Sequence, residues 1–97
     1  MPKGYIVNSY RVVNDAAALA AYAKLAGPAI LAAGGRFIVR GLPVKTFEAG
    51  IVQRTVVVEF DSVEQAIAAY DSPAYQEAVA LLGDSTERDM RIVAGAE

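Results

Sequence analysis

Guanidiniums, carboxylates and phenols are the side chains through which this sequence could do chemistry. Among its 97 residues there is no cysteine and no histidine. That excludes thiolate nucleophiles, disulfides, zinc–thiolate and iron–sulfur centres, imidazole ligation and Ser-His-Asp catalysis. The remaining candidates are Arg36 and Arg40 in RFIVRG, Glu59 in VVVEF, Glu48 in the segment between them, and Tyr22 and Tyr70. Arg36 and Glu59 fit an anion-binding arginine beside a general base, and they also fit a cross-strand ion pair. Arg40 has no acid opposite it and is free to grip a carboxylate bidentately, or to find a partner across a subunit boundary. Tyr22 and Tyr70 are inward-facing phenols that need partners, either backbone and water or a ligand. Glu48 sits where a glycine-containing loop can fold over a cavity mouth, or simply rest on the surface. No paired-acid spacing suggests a metal, and Gly34-Gly35 precedes a strand instead of opening a phosphate-binding helix. Neither cofactor nor metal is expected.

The elements that must position these residues follow from periodicity. Residues 4–13 alternate Tyr5, Val7, Ser9, Arg11 against Ile6, Asn8, Tyr10, Val12, a strand with two different faces. Asn14 and Asp15 supply a helix cap, and Leu19, Tyr22, Ala23, Ala26 and Ile30 recur at helical spacing. Gly27-Pro28 is expected to kink or restart that helix, and Gly34-Gly35 to end it through a left-handed residue. Strands follow at Arg36–Gly41 and Val52–Phe60. Ser62-Val63-Glu64-Gln65 is a capping box that opens a second helix, with Val63, Ala66, Ile67 and Tyr70 facing inward. Ser72-Pro73 starts a third helix, Gly83 closes it, and Arg88–Ala94 is the last strand.

The order is βαββααβ. NDAAALAAY (14–22) aligns without gaps on SVEQAIAAY (62–70), an offset of 48 that sets Tyr22 on Tyr70. With βαβ spacing in both halves, this favours an α+β, ferredoxin-like βαββαβ sandwich carrying an extra short helix before the last strand. Right-handed crossovers put both main helices on one face of a four-stranded sheet and leave the other face open. In the central hairpin, pairing residues whose numbers sum to 95 sets Arg36 opposite Glu59 and Phe37 opposite Val58. The same rule sets Ile38 opposite Val57, Val39 opposite Val56 and Arg40 opposite Thr55.

The stretches KGYIV (3–7), GGRFIVRG (34–41) and VVVEFDSVEQAIAAYDSPAYQEA (56–78) resemble the bacterial family catalogued as domain of unknown function 1330. The resemblance covers nearly the whole chain. It implies a dimeric α+β barrel, in which two ferredoxin-like sheets pack through their open faces, and it brings no established reaction. The family's His-Gly-Gly is Ala33-Gly34-Gly35 here, its Trp-Tyr is Ala69-Tyr70, and Ala49 separates Glu48 from Gly50.

Composition agrees with a small domain that needs a partner. Eleven acids against nine bases give a net charge of −2, and 55% of residues are hydrophobic, 19 of them alanine. The length fits a single domain, residues 1–97, with a marginal core of its own. The charge gives no general attraction to nucleic acid or anionic lipid, and the open face lacks the stacking aromatics of RNA-binding sandwiches. No run approaches the ~20 apolar residues of a membrane span, and the N-terminus has no signal-peptide core. A cytoplasmic homodimer is expected. Two functions remain open: binding of a small apolar or anionic molecule between helices and sheet, or a cofactor-free enzyme, monooxygenase- or isomerase-like. The enzyme would use Glu59 or Glu48 as base and Arg40 to stabilise an oxyanion.

Overall fold

A computed structural model describes residues 2–96. The elements run β1 (Gly4–Val13), α1 (Ala16–Ala32), β2 (Arg36–Gly41), β3 (Thr55–Phe60), α2 (Val63–Asp71), α3 (Pro73–Ala80) and β4 (Thr86–Ala94). The sheet is antiparallel with order β2-β3-β1-β4, the ferredoxin-like arrangement. All helices cover one face. Ile6, Asn8 and Tyr10 of β1, Val56, Val58 and Phe60 of β3, and Met90 of β4 point toward them. Tyr5, Val7, Ser9, Val57, Glu59, Asp89 and Arg91 occupy the other face, which is only half-buried.

Asp15 caps α1 by accepting from the N–H groups of Ala17 and Ala18 at 3.0 and 3.1 Å. The helix runs through Pro28 without restarting. Its buried stripe is Tyr22, Ala26 and Ile30, one residue every four, and this anchorage on both sides of the proline outweighs the donor that proline lacks. Ala23, expected inward, is exposed because that stripe is narrow. Gly34 ends the helix at φ +92°, the left-handed cap conformation that glycine adopts without strain.

Helix α2 sits close on the sheet. A Cβ at Gly4 would meet the Ser62 carbonyl oxygen at 2.5 Å, so only glycine lets the two backbones approach. Alanines therefore form its buried stripe, Ala66 and Ala69, while Ile67 turns out to solvent, contrary to the expected inward face. The Ser62 hydroxyl accepts from Gln65 N–H at 3.1 Å. The return bond of the box differs from expectation: Gln65 Oε1 accepts from Asp61 N–H at 3.3 Å, and its Nε2 donates to the Ala33 carbonyl at 3.0 Å. Gln65 thereby ties the start of α2 to the end of α1.

The hairpin holds the main correction. Arg36 pairs with Glu59 and Phe37 with Val58, as the sequence predicts. A β-bulge then inserts one residue, so Val39 faces Val57, Arg40 faces Val56 and Gly41 faces Thr55. Val39 moves to the open face and Arg40 to the helix face, the reverse of the regular register. Strand β3 begins at Thr55 and not Val52, because β2 ends at Gly41 and leaves residues 52–54 no partner on that side. Strand β4 starts two residues before Arg88, where Thr86 and Glu87 pair with Val13 and Val12 past a second bulge in β1.

The Ser62 cap generates a direct test. Ser62→Ala should lower stability by ~0.5–2 kcal/mol, read as a lower urea midpoint with an unchanged denaturant slope. An unchanged midpoint would mean that the cap contributes nothing.

Candidate functional site

Between α1 and the sheet lies a cavity of about 50 Å³, room for roughly three to five waters. Apolar groups form most of its wall: Ile6, Leu19, Ala26, Ile30, Phe37, Val56 and Val58. Five polar side chains interrupt it, namely Asn8, Tyr22, Tyr75, Arg40 and Arg54, with Tyr10 beside them. Ala23 and Arg40 are exposed and mark the mouth. The bulge in β2 is what delivers Arg40, whose guanidinium lies 4.6 Å from the Phe37 ring centroid. Arg54 precedes β3, and its carbonyl accepts from Tyr10 N–H at 3.0 Å. Among the described residues neither arginine makes an ion pair.

The inner end is a network of phenols. The Tyr22 and Tyr75 hydroxyls lie 2.6 Å apart, and Arg88 Nη1 donates to both, at 3.1 and 3.4 Å. The Arg88 guanidinium also lies 5.1 Å from the Tyr22 ring centroid and 5.9 Å from that of Tyr10, within cation–π range. Burial, then the neighbouring Tyr75, pushes the Tyr22 pKa well above the ordinary phenol value. Tyr22 is thus a neutral donor at physiological pH and no base. Burial alone would lower the pKa of Arg88, but its hydrogen bond to Tyr75 and the phenols around it raise it, so the cation persists.

The other expected residues lie elsewhere. Arg36 and Glu59 meet on the open face, where Arg36 Nε donates to Glu59 Oε1 at 3.0 Å and Tyr5 Oη donates to Oε2 at 2.9 Å. The Tyr5 hydrogen bond, then that of Arg36, holds the Glu59 carboxyl below its usual range. Glu59 is a satisfied carboxylate on the far side of the sheet from Arg40. Glu48 is exposed at φ +52° and does not line the cavity. Tyr70 is half-buried, its ring 5.3 Å from that of Tyr75. Tyr75 separates it from Tyr22, so the repeat that aligns Tyr22 with Tyr70 does not produce a pair. No cluster of three or more acids capable of holding a metal gathers among the described residues.

Sequence reasoning missed Asn8, Arg54 and Tyr75 as cavity residues, and Arg88 as the partner of the cavity's two phenols. Two signals were available. Asn8 is the polar member of the row Ile6, Asn8, Tyr10. Tyr75 falls on the inward face of the helix that Ser72-Pro73 starts, where the Ser72 hydroxyl accepts from its N–H at 3.3 Å.

The raised pKa of Tyr22 predicts the alkaline behaviour. A pKa higher in the folded state than unfolded means that the stabilisation is complete below the unfolded value of 10.0 and declines as pH rises past it. An ultraviolet titration of the five tyrosines should show Tyr22 ionising only as the protein unfolds. All five titrating normally in the folded state would contradict the network.

No curated protein sequence matches this chain significantly. Solved structures match its fold. A protein of unknown function from Rhodopseudomonas palustris aligns over 99% of this chain and 84% of its own, with a TM-score of 0.74 and 19% identity. A dimeric ferredoxin-like protein of unknown function from Thermobifida fusca gives 0.65 and 19%, over 96% and 91% of the two chains. SnoaB, a cofactor-independent oxygenase from Streptomyces nogalater, gives 0.63 at 12% identity, over 100% and 96%. At these identities the likeness is one of fold, that of the dimeric α+β barrel proteins. The family model for the domain of unknown function DUF1330 matches residues 3–96, and the chain belongs to that family.

Proposed function

We propose that this protein binds a small organic anion with an apolar body in the cavity between α1 and the sheet, and does so as a homodimer. The observation that carries the reading is the pair of arginines, Arg40 and Arg54, lining a mostly apolar cavity with no acid to neutralise them among the described residues. Ligand sites have this composition: apolar walls with a few convergent polar groups. A carboxylate on the arginines, with a short hydrocarbon tail against Phe37, Val56 and Ile30, satisfies both kinds of surface. The enzymatic alternative lacks its base here. Glu59 is neutralised on the opposite face, and Tyr22 is held protonated.

Isovalerate is a suitable probe. Titration followed by amide NMR shifts should place it beside Phe37 and Tyr22. Arg40→Gln and Arg54→Gln should each weaken it by about tenfold, the loss of one charge-assisted hydrogen bond. No saturable shift in the parent would reject the reading.

The dimer rests on surface. The chain exposes 5988 Å², where a monomer of its mass is expected to expose roughly 5,300 Å². It is also a slab, 37 × 34 × 16 Å. Ile38, Val39 and Val93 are exposed on or beside the open face, and the 42–54 loop carries Leu42, Val44, Phe47 and Val52 largely in solvent. A second copy packed on that face buries this apolar surface around a two-fold axis. Val57→Asp, in the middle of the face, should cost on the order of several kcal/mol and split or unfold the assembly. Light scattering at micromolar concentration reads the outcome, and a parent that stays at 10.2 kDa would sink the dimer.

A further inference from the structure

Asn8 lies on β1, the strand with neighbours on both sides, between Val56 and Met90. Its side chain lines the cavity, it is 4% exposed, and its Oδ1 has no hydrogen-bond partner. A buried carbonyl without a donor is destabilising, and a residue as apolar as its neighbours would remove the penalty. Among the described residues no group hydrogen-bonds the Asn8 side chain. The oxygen therefore points to a donor that comes from outside the chain.

The opposite deficiency lies in the same wall. Tyr22 and Tyr75 have two hydroxyl protons between them, and their mutual bond consumes one. Arg88 Nη1 donates to both oxygens and accepts nothing. The second phenol proton therefore has no acceptor among the described residues, and burial keeps Tyr22 protonated, so the proton stays. The cavity wall thus carries one unmet acceptor and one unmet donor.

We infer that the bound anion is a hydroxy acid, whose hydroxyl donates to Asn8 Oδ1 and accepts from the Tyr22–Tyr75 pair while its carboxylate meets Arg40 and Arg54. This rests on the anion-binding reading above and adds the ligand's second functional group. A hydroxyl is the simplest group that both gives and takes a hydrogen bond. An ammonium would satisfy Asn8 but has no lone pair for the phenol, and it would enter a cavity already holding two guanidiniums. A plain carboxylic acid fills the arginines and leaves Asn8 unpaired. Sites that hydrogen-bond a ligand hydroxyl discriminate strongly against analogues lacking it, because their own polar groups are then stranded.

The test compares four probes of one carbon skeleton: isovalerate, 2-hydroxyisovalerate, 3-hydroxyisovalerate and valine, titrated by NMR into the full-length protein. At least one hydroxy acid should bind tenfold or more tightly than isovalerate, and it alone should shift the Asn8 side-chain amide resonances. Valine should bind more weakly than 2-hydroxyisovalerate. Asn8→Leu should lose the preference and treat hydroxylated and plain acids alike. Should that variant not fold, the ranking of the four probes on the parent decides by itself. Equal binding of isovalerate and both hydroxy acids would assign the Asn8 oxygen to a trapped water and overturn the inference, leaving the anion site intact. Tightest binding of valine would overturn it in favour of an amino acid. No binding of any probe would remove the anion site, and this inference with it.

Discussion

One inserted residue in β2 decides what the helix side of this sheet can do. Side chains on a strand alternate with period two, so an extra residue reverses every face beyond it. Before the bulge, Arg36 and Phe37 occupy the faces that pairing with Glu59 and Val58 demands. After it, Arg40 enters the helix face opposite Val56, and Val39 takes the open face opposite Val57. In a regular hairpin the cavity wall would present Val39, and Arg40 would stand beside Thr55 on the open side. The bulge replaces an aliphatic wall with a guanidinium stacked on Phe37, and it gives the open face another apolar residue. One local irregularity thus serves both the cavity and the surface available to a second copy.

The charges are sorted by face. Every ion pair among the described residues uses Glu59, Asp61 or Asp89, with Lys3, Arg11, Arg36 and Arg91 as partners. Glu59 and Asp89 stand on the open face. Arg40, Arg54 and Arg88 belong to the helix side and enter none of these pairs. Arg88 has phenols where an acid would otherwise be expected, and phenols solvate a guanidinium without neutralising it. A protein of net charge −2 therefore carries a concentration of positive charge between its helices and its sheet. At the half-buried Arg54 and Arg88 a lower dielectric strengthens the pull on an anion beyond what the same groups would exert at the surface, whereas Arg40 stands exposed at the mouth.

The order of elements, the caps at Asp15, Ser62 and Ser72, and the Arg36–Glu59 pair were legible in the sequence because each depends on neighbours in the chain or on simple alternation. The cavity was less so. Arg40 could not be placed, since no residue in RFIVRG marks the bulge; a regular strand fits those letters equally well. Tyr22 was read correctly as an inward phenol, but its partner is set by how α3 lies against α1, a tertiary fact that the internal repeat pointed away from. Ile67 and Ala23 failed for a related reason. Gly4 lets α2 approach so closely that alanines must face the sheet, and helical spacing alone cannot report the distance between layers. Arg54 fell inside the expected strand Val52–Phe60, but β3 begins one residue after it, so strand alternation said nothing reliable about where its side chain goes.

Asn8 belongs to a different category, because the pattern displayed it and only the meaning was hidden. A polar residue in an inward row reads as an imperfection when the row is all that is known. Its position makes that reading costly. β1 pairs on both sides, so Asn8 has no edge through which bulk water could reach it, and Val56 and Met90 flank it with apolar surface. Ser85, the other buried side chain without a partner among the described residues, is in the turn leading into β4, beyond the last helix. Asn8 sits instead in the centre of the sheet, where packing is least forgiving. Consistency among pattern, packing and polar satisfaction is the rule for a folded chain, and departures from it concentrate where function sets the residue. Here the departure coincides with the cavity, the unpaired arginines and the spare phenol proton, and a ligand that completes them would stabilise the fold as it bound.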